Sequence, residues 1–408
     1  MYWGMVRSAH ILIACAAALL GLGVIMVHSA GSVVGGPDGA VLDSTFGPIG
    51  PWSMFATRTS LYAGIAIVIM LIASRLDVRQ IFTARGLSNP LLIALMAALS
   101  LQGLTLIPGF GHEVNGAYRW LKVGPITFQP SELVKWVMVL AVAWWCARRA
   151  GVMHKFGAGA LPGLVLIALA CGLIVDQDLG TAVLVGLVAV VILIAGGMRL
   201  WVLAPVIMIG AVGIVAAIMA APYRIKRLMI YKDPWSDPQG AGYHPIQSQL
   251  AFAEGGLQGS GLGHSVQKYY IPEDTTDFIF PVLTEELGLA GAALVIGLFL
   301  TIIWVGLGIV RDSKDPFSRL VGLGVMTTLG VQAAINLAVV TVVVPTKGIA
   351  LPLVSNGGTG WIMTAGALGL LAAIDNATAI EQAEASSTDD VETADESTTI
   401  EPRLRLTG

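Results

Sequence analysis

Apolar residues in this chain gather into long runs, separated by short polar stretches and by one extended polar interval, 222–278. A helix of about 20 apolar residues crosses a hydrocarbon core about 30 Å thick. On that criterion ten spans are read, near 9–29, 59–75, 89–108, 131–147, 159–175, 180–197, 201–221, 279–310, 319–343 and 358–375. The eighth is long enough to tilt or to begin outside the bilayer. The predicted fold class is an all-α polytopic integral membrane protein. It has about ten transmembrane helices, with a large extracytoplasmic loop between helices 7 and 8. The first run begins MYWGMVRSAHILIACAAALLGLGVIMVHSAGS. Its apolar core exceeds the roughly 7–15 residues of a secretory leader, so it reads as an uncleaved span.

Cations near the ends of short loops set orientation. Arg75, Arg79 and Arg85 mark one loop, Arg148, Arg149 and Lys155 a second, and Arg311, Lys314 and Arg319 a third. With ten spans these loops share a side with Arg7 and the C-terminus, so both termini are expected in the cytoplasm. Arg119, Lys122, Arg224, Lys226, Arg227, Lys232, Lys268 and Lys347 fall on the opposite side, an exception that calls for a functional account. The domain division expected is a transmembrane domain, 1–376, and a polar, acidic tail, 377–408. The tail holds too little apolar surface to offset its ordering entropy and reads as disordered.

Composition agrees with the apolar pattern. The chain is 55% hydrophobic and 12% charged, with a mean hydropathy of +0.78, whereas a soluble domain carries about 25% charged residues. No basic field of the kind nucleic acid requires is present, which removes nucleic acid as a partner. Cys15, Cys146 and Cys171 lie in separate apolar runs and read as small buried hydrophobes rather than a disulfide framework or metal site.

Three external segments carry candidate chemistry. In NGAYRWLKVGPITFQPSELVKW (115–136), Pro130 ends the loop, Ser131 reads as a helix cap and Glu132 lies in the first turn. Glu132 and Lys135 are three apart and share a helical face, which fits a local ion pair. A cation below the interface also faces a polar cavity as a rule, which fits a binding role for Lys135. In IPEDTTDFIFPVLTEE (271–286), Asp277 stands where the chain re-enters the bilayer. It is either the cap of the following helix or a general base, since partial drying raises a carboxylate's pKa toward that working range. Glu273 and Asp274 read as solvated. Glu285 and Glu286 lie about two turns deeper, one lining a cavity and the other limiting lipid contact. Upstream, GGLQGSGLG (255–263) follows no predicted strand, so it reads as a hinge or close backbone packing, not a nucleotide loop. His244 and His264 are isolated and read as surface or capping residues.

The third segment, VVVPTKGIALPLVSNGGTGW (342–361), is rich in helix breakers. Non-helical backbone at membrane depth is tolerated only where it lines protein or water. Lys347 is its lone cation. Gln332 and Asn336, four apart on the preceding helix, place two amides on one face. External cations with one poised carboxylate suit a phosphate-bearing lipid better than an ion.

At these motifs the chain resembles the SEDS family (shape, elongation, division and sporulation proteins). The resemblance covers about residues 9–376 and rests on NGAYRWLKVG, FQPSELVK, QDLGTAV, DPWSDPQGAGYHPIQS, GGLQGSGLGHSVQK, IPEDTTDFIFPVLTEELGLAG and PTKGIALPLVSNGGTG, in that order. The large loop is closer to the cell-division branch, FtsW, than to the elongation branch, RodA. The resemblance implies a peptidoglycan glycosyltransferase that polymerises lipid II on the outer face of the bacterial cytoplasmic membrane, for septal wall synthesis. It implies Asp277 as catalytic base, with Arg119, Glu132, Lys135, Lys347 and Ser355 as substrate-binding residues. A class B penicillin-binding protein and other divisome membrane proteins are the implied partners. A divalent cation, Mg2+ or Mn2+, is left open as a cofactor, so the expected chemistry is metal- or cation-assisted inverting transfer. Three departures from the family pattern stand out: Thr275 where His is usual, Asn356 where Tyr is usual, and Gln177 where Pro is usual. A lipid II flippase, an elongation-type polymerase and a recruiting scaffold are the alternatives.

Overall fold

A computed structural model describes residues 7–31, 57–83, 89–114, 117–123, 126–271 and 275–399. Ten apolar helices fall where the hydropathy pattern places spans: α1 (Ser8–Ala30), α2 (Arg58–Ala73), α4 (Pro90–Leu104), α5 (Pro130–Arg148), α6 (Leu161–Val175), α7 (Leu179–Ala195), α8 (Leu200–Met219), α11 (Ile279–Asp312), α12 (Pro316–Val340) and α13 (Thr359–Thr399). Among the described residues, seven are long and apolar enough to cross a membrane, α6 together with the π turn before it. The other three, α2, α4 and α7, are 16, 15 and 17 residues long. Proline at the first helical position opens α4, α5 and α12, where the missing N–H would have no partner anyway. Thr57, Asn89, Asp178 and Asp315 cap α2, α4, α7 and α12 through side-chain acceptors. The cap of α5 is Gln129, which makes no such bond, so Ser131 does not fill that role. Short helices α3 (Val78–Thr83), α9 (Pro222–Ile230) and α10 (Tyr243–Gly255) complete the set.

The helices α5, α7 and α12 pack on one another, and α1, α11 and α13 close around them. By contrast α8 stands against the bundle edge, and only its Leu203 is buried. Two features depart from the sequence reading. The loop before α5 folds into an antiparallel sheet of three strands, β1 (Gly111–Val114), β2 (Ala117–Val123) and β3 (Ile126–Phe128), so the chain is helical but not entirely so. The last helix also runs on to Thr399, past 377, where disorder was expected. Ala, Glu and Gln in 379–386 favour helix, and its start is tethered. Asn376 Nδ2 donates to Ser74 O at 3.3 Å, Ala9 N donates to Asp375 Oδ2 at 2.9 Å, and Arg79 pairs with Glu381.

The acids of 271–286 part company. Glu273 and Asp274 lie outside the described residues. Glu285 and Glu286, each 1% exposed, neither line the cavity described below nor face lipid. They hold the large loop against the bundle. Glu285 accepts from Ser265 Oγ at 2.5 Å and from Val266 N at 2.6 Å, and Glu286 accepts from Ser29 Oγ at 2.6 Å. Ser29 Oγ in turn accepts from Gly263 N at 2.8 Å, while Lys268 Nζ donates to the carbonyls of Ser29 (3.1 Å) and Gly263 (2.9 Å). The glycine-rich stretch is close packing rather than a loose hinge. Helix α11 breaks at Gly288 (φ 66°, ψ −167°), which diverts Leu289 N to Gly256 O at 3.0 Å. Ser260 N and Gly261 N take the freed carbonyls of Glu285 and Glu286, both at 2.9 Å. Gly259 (φ +76°) lies so close to the Glu286 carbonyl that no side chain fits. Everything in 279–286 ahead of the break is buried in protein.

Replacing Glu285 by Ala strands the donors of Ser265, Val266 and Gln267 in a dry place. We expect a loss of about 3 kcal/mol, read as a lower melting temperature of the purified chain. An unchanged melting temperature rules out the latch as a stability element.

Candidate active site

A cavity of about 310 Å³ lies where the non-helical segments meet the bundle. Strand β2 brings Arg119 and Trp120 to it, α5 brings Glu132 and Lys135, the start of α7 brings Asp178 and the turn before α11 brings Asp277. The segment 348–357, including Ser355, forms the opposite wall. Of the site residues read from sequence, Asp277, Arg119, Glu132, Lys135 and Ser355 therefore line one chamber. Lys347 does not.

Lys135 is 2% exposed. A buried ammonium must be paired, and Nζ donates to Glu132 Oε2 at 2.7 Å and to Gln332 Oε1 at 2.9 Å. Both readings of this pair hold together: the ion pair forms, and it forms on the cavity wall. An ammonium has three N–H groups, which leaves one for a ligand. Arg119 is half-buried, and its Nε has no hydrogen-bond partner among the described residues.

Asp277 is not the cap of α11. That place belongs to Phe278, which makes no side-chain cap bond. Contacts from α12 hold the main chain that carries Asp277 and the wall facing it. Asn336 Nδ2 donates to the carbonyls of Asp277 (2.9 Å) and Ile349 (2.7 Å), and Gln332 Nε2 donates to Ala350 O at 3.0 Å. A methyl group at residue 348 would stand 2.8 Å from Asp277 Oδ2, so Gly348 is where the wall makes room for the acid. The wall itself is strained: Leu353, lining the cavity, has φ +61°, an uncommon conformation for a side-chain-bearing residue. Ser355 Oγ accepts from Leu351 N at 2.8 Å and so ties the turn that carries it.

The departures Thr275 and Asn356 are neighbours, because Asn356 N donates to Thr275 O at 2.8 Å. The bond is between main chains, so it needs neither a histidine nor a tyrosine side chain. Gln177, the third departure, does use its side chain: Oε1 accepts from Tyr118 N at 2.8 Å, beside Arg119 on β2. Sequence reasoning missed Asp178 as part of the site. Its carboxylate caps α7 by accepting from Thr181 N at 3.0 Å and Thr181 Oγ1 at 2.7 Å, and it lines the cavity. An acid directly before the apolar run LGTAVLV was the available signal. Lys347 is half-buried nearby. Burial pushes its ammonium pKa down, Asp178 opposes that shift and Arg224 adds to it.

Among the described residues, no group of three or more His, Cys, Asp or Glu side chains could hold a metal ion. Within the cavity Glu132 is engaged by Lys135 and Asp178 by Thr181. That donor set does not form a resident metal site, so no step below is routed through one.

Fold and cavity define a multi-pass membrane protein that encloses a charged chamber among its helices. Residues 9–380 match the family described as cell cycle protein, which groups FtsW, RodA and SpoVE, and the chain belongs to it. It is 37% identical over 367 residues to a probable peptidoglycan glycosyltransferase FtsW of Geobacter sulfurreducens, covering 90% of this chain and 94% of that one. It is 38% identical over 356 residues to the stage V sporulation protein E of Bacillus subtilis, covering 86% and 93%. Among solved structures it is similar to a chain of a peptidoglycan synthase complex that coordinates polymerization and crosslinking, with a TM-score of 0.69, 27% identity and coverage of 90% and 97%. It is also similar to the rod shape determining protein RodA of Thermus thermophilus, with a TM-score of 0.60, 26% identity and coverage of 90% and 95%.

Substituting Asn336 by Leu removes both donors that hold the backbone beside Asp277, and we expect about 2 kcal/mol of destabilisation. Gly348→Ala is expected to displace the Asp277 carboxylate while leaving the melting temperature within about 3 °C of the parent. Structures of the two variants, with melting curves, check both outcomes.

Proposed function

We propose that the chain is a peptidoglycan glycosyltransferase that polymerises lipid II, with this cavity as its active site. The observation that carries the reading is one chamber lined by Asp277, Arg119 and Lys135. The printed names of its relatives support the same activity. Asp277 takes the proton from the acceptor sugar's 4-hydroxyl as that oxygen attacks the donor's anomeric carbon. The bond from that carbon to the polyprenyl diphosphate breaks with inversion. Arg119 and the third N–H of Lys135 meet the charge that develops on the departing diphosphate, in the manner of preorganised electrostatic stabilisation. Glu132 keeps Lys135 aimed, and Ser355 holds the wall. Lys347, outside the lining, acts on the diphosphate at longer range.

The cavity lies on the extracytoplasmic side in this reading, with ten crossings and both termini in the cytoplasm. A class B penicillin-binding protein supplies crosslinking, as the similarity to a synthase complex supports, and other divisome membrane proteins place the pair at the septum.

Purified chain in liposomes with labelled lipid II tests the reading, with and without a cognate transpeptidase. Asp277→Asn should lower polymerisation by about 10²–10⁴-fold, and Arg119→Gln by about 10²-fold. Full polymerisation by Asp277→Asn removes the base assignment. Lipid II translocation without glycan product replaces the reading by a flippase.

A further inference from the structure

Arg224, Lys226, Arg227 and Lys232, cations on the unexpected side of the membrane, are not accounted for by the cavity lining. All four lie on or beside α9. We propose that α9 is a docking surface for the headgroups of anionic phospholipids in the leaflet on its side. Neither the reaction above nor the role of Asp277 is needed for this.

The helix has the make-up of an interfacial segment. Arg224 and Arg227, three apart, share one face, while Ile225, Leu228 and Met229 share another. Leu228 and Met229 are 40% and 69% exposed, and only Ile230 of the helix is buried. The guanidinium carbons of Arg224 and Arg227 lie 5.4 and 5.8 Å from the Tyr223 ring, which gathers both charges around one aromatic. Trp235, 62% exposed, follows one turn beyond the helix. A helix that is basic on one side and apolar on the other lies in the plane of the interface, its apolar face among the acyl chains.

Charge accounting narrows the occupant. Lys226 is paired with Asp237 at 2.8 Å, and that contact holds the Asp237 carboxyl below the usual carboxylate range. Arg224 donates to the carbonyls of Ala217 (2.8 Å) and Asp176 (3.3 Å), which anchor it without cancelling its charge. Arg227 and Lys232 are exposed and meet no carboxylate among the described residues. Continuity fixes the depth. Helix α8, nearly all of it exposed and apolar, ends at Met219, and α9 opens at Pro222. The chain therefore leaves the hydrocarbon where the basic helix begins, at the level of lipid phosphates. Guanidinium groups match phosphate oxygens bidentately.

The test uses the full chain in neutral detergent micelles, titrated with phosphatidylglycerol, with phosphatidylcholine or with inorganic phosphate. Hydrogen exchange of 223–232 is the readout. We expect phosphatidylglycerol to protect this segment, and phosphatidylcholine and inorganic phosphate to leave it unprotected. Each basic residue near an anionic surface is worth about fivefold in affinity, so Arg227→Gln with Lys232→Gln should weaken the effect about 30-fold. Should that variant melt lower than the parent, salt gives the same answer on the unmodified chain. Protection should fade between about 0.01 M and 1 M, as the Debye length contracts from about 30 Å to 3 Å. Equal protection by phosphatidylcholine overturns the proposal, as does retention of the effect in the variant or in high salt. Protection by inorganic phosphate alone would make this a free-anion site. Protection that grows with protein concentration and needs no lipid would make it a contact between copies. Either result also overturns it.

Discussion

Backbone that leaves the helix inside a membrane protein must find hydrogen-bond partners within the protein, because the hydrocarbon offers none. Here two amide side chains on α12 meet that demand. Asn336 and Gln332 face the same way from one turn of helix, and between them they bond the carbonyls of Asp277, Ile349 and Ala350. Gln332 then presents its oxygen to Lys135. One helical turn thus ties the turn bearing the carboxylate, the opposite cavity wall and the buried cation to a single rigid element. The relative placement of the Asp277 turn and Lys135 follows from satisfying main-chain carbonyls, with the side chains of the site arranged around that scaffold.

A second polar network does comparable work where the large loop meets α1 and α11. The break at Gly288 releases two carbonyls, and the glycine-rich loop supplies the two amides that take them. Glu285, Glu286, Ser29 and Lys268 then lock the loop to α1 and α11. Buried carboxylates are tolerable only when so engaged. The acids that crowd the sequence before and inside this apolar run therefore have different occupations. Asp277 opens on the chamber, while the glutamates two turns on are structural.

The cations around the chamber and the large loop divide in the same way. Arg119 and Lys135 line the chamber, Lys268 is consumed by the latch, and the basic residues of α9 face outward. Each group has different surroundings: the chamber, backbone carbonyls or the surface of α9.

Much of this protein was legible from residue order. Among the described residues, ten apolar helices coincide with the apolar runs, seven of them long and apolar enough to cross hydrocarbon. Local spacing foresaw the Glu132–Lys135 pair and the shared face of Gln332 and Asn336, since both depend only on helical geometry. Tertiary structure decided the rest. Asp178 reaches the chamber while Lys347 falls outside its lining, and Asp277 is held by a helix that begins some forty residues later. Contacts between residues so far apart in the chain leave no periodic trace in it, so only the packing of the helices could bring them together.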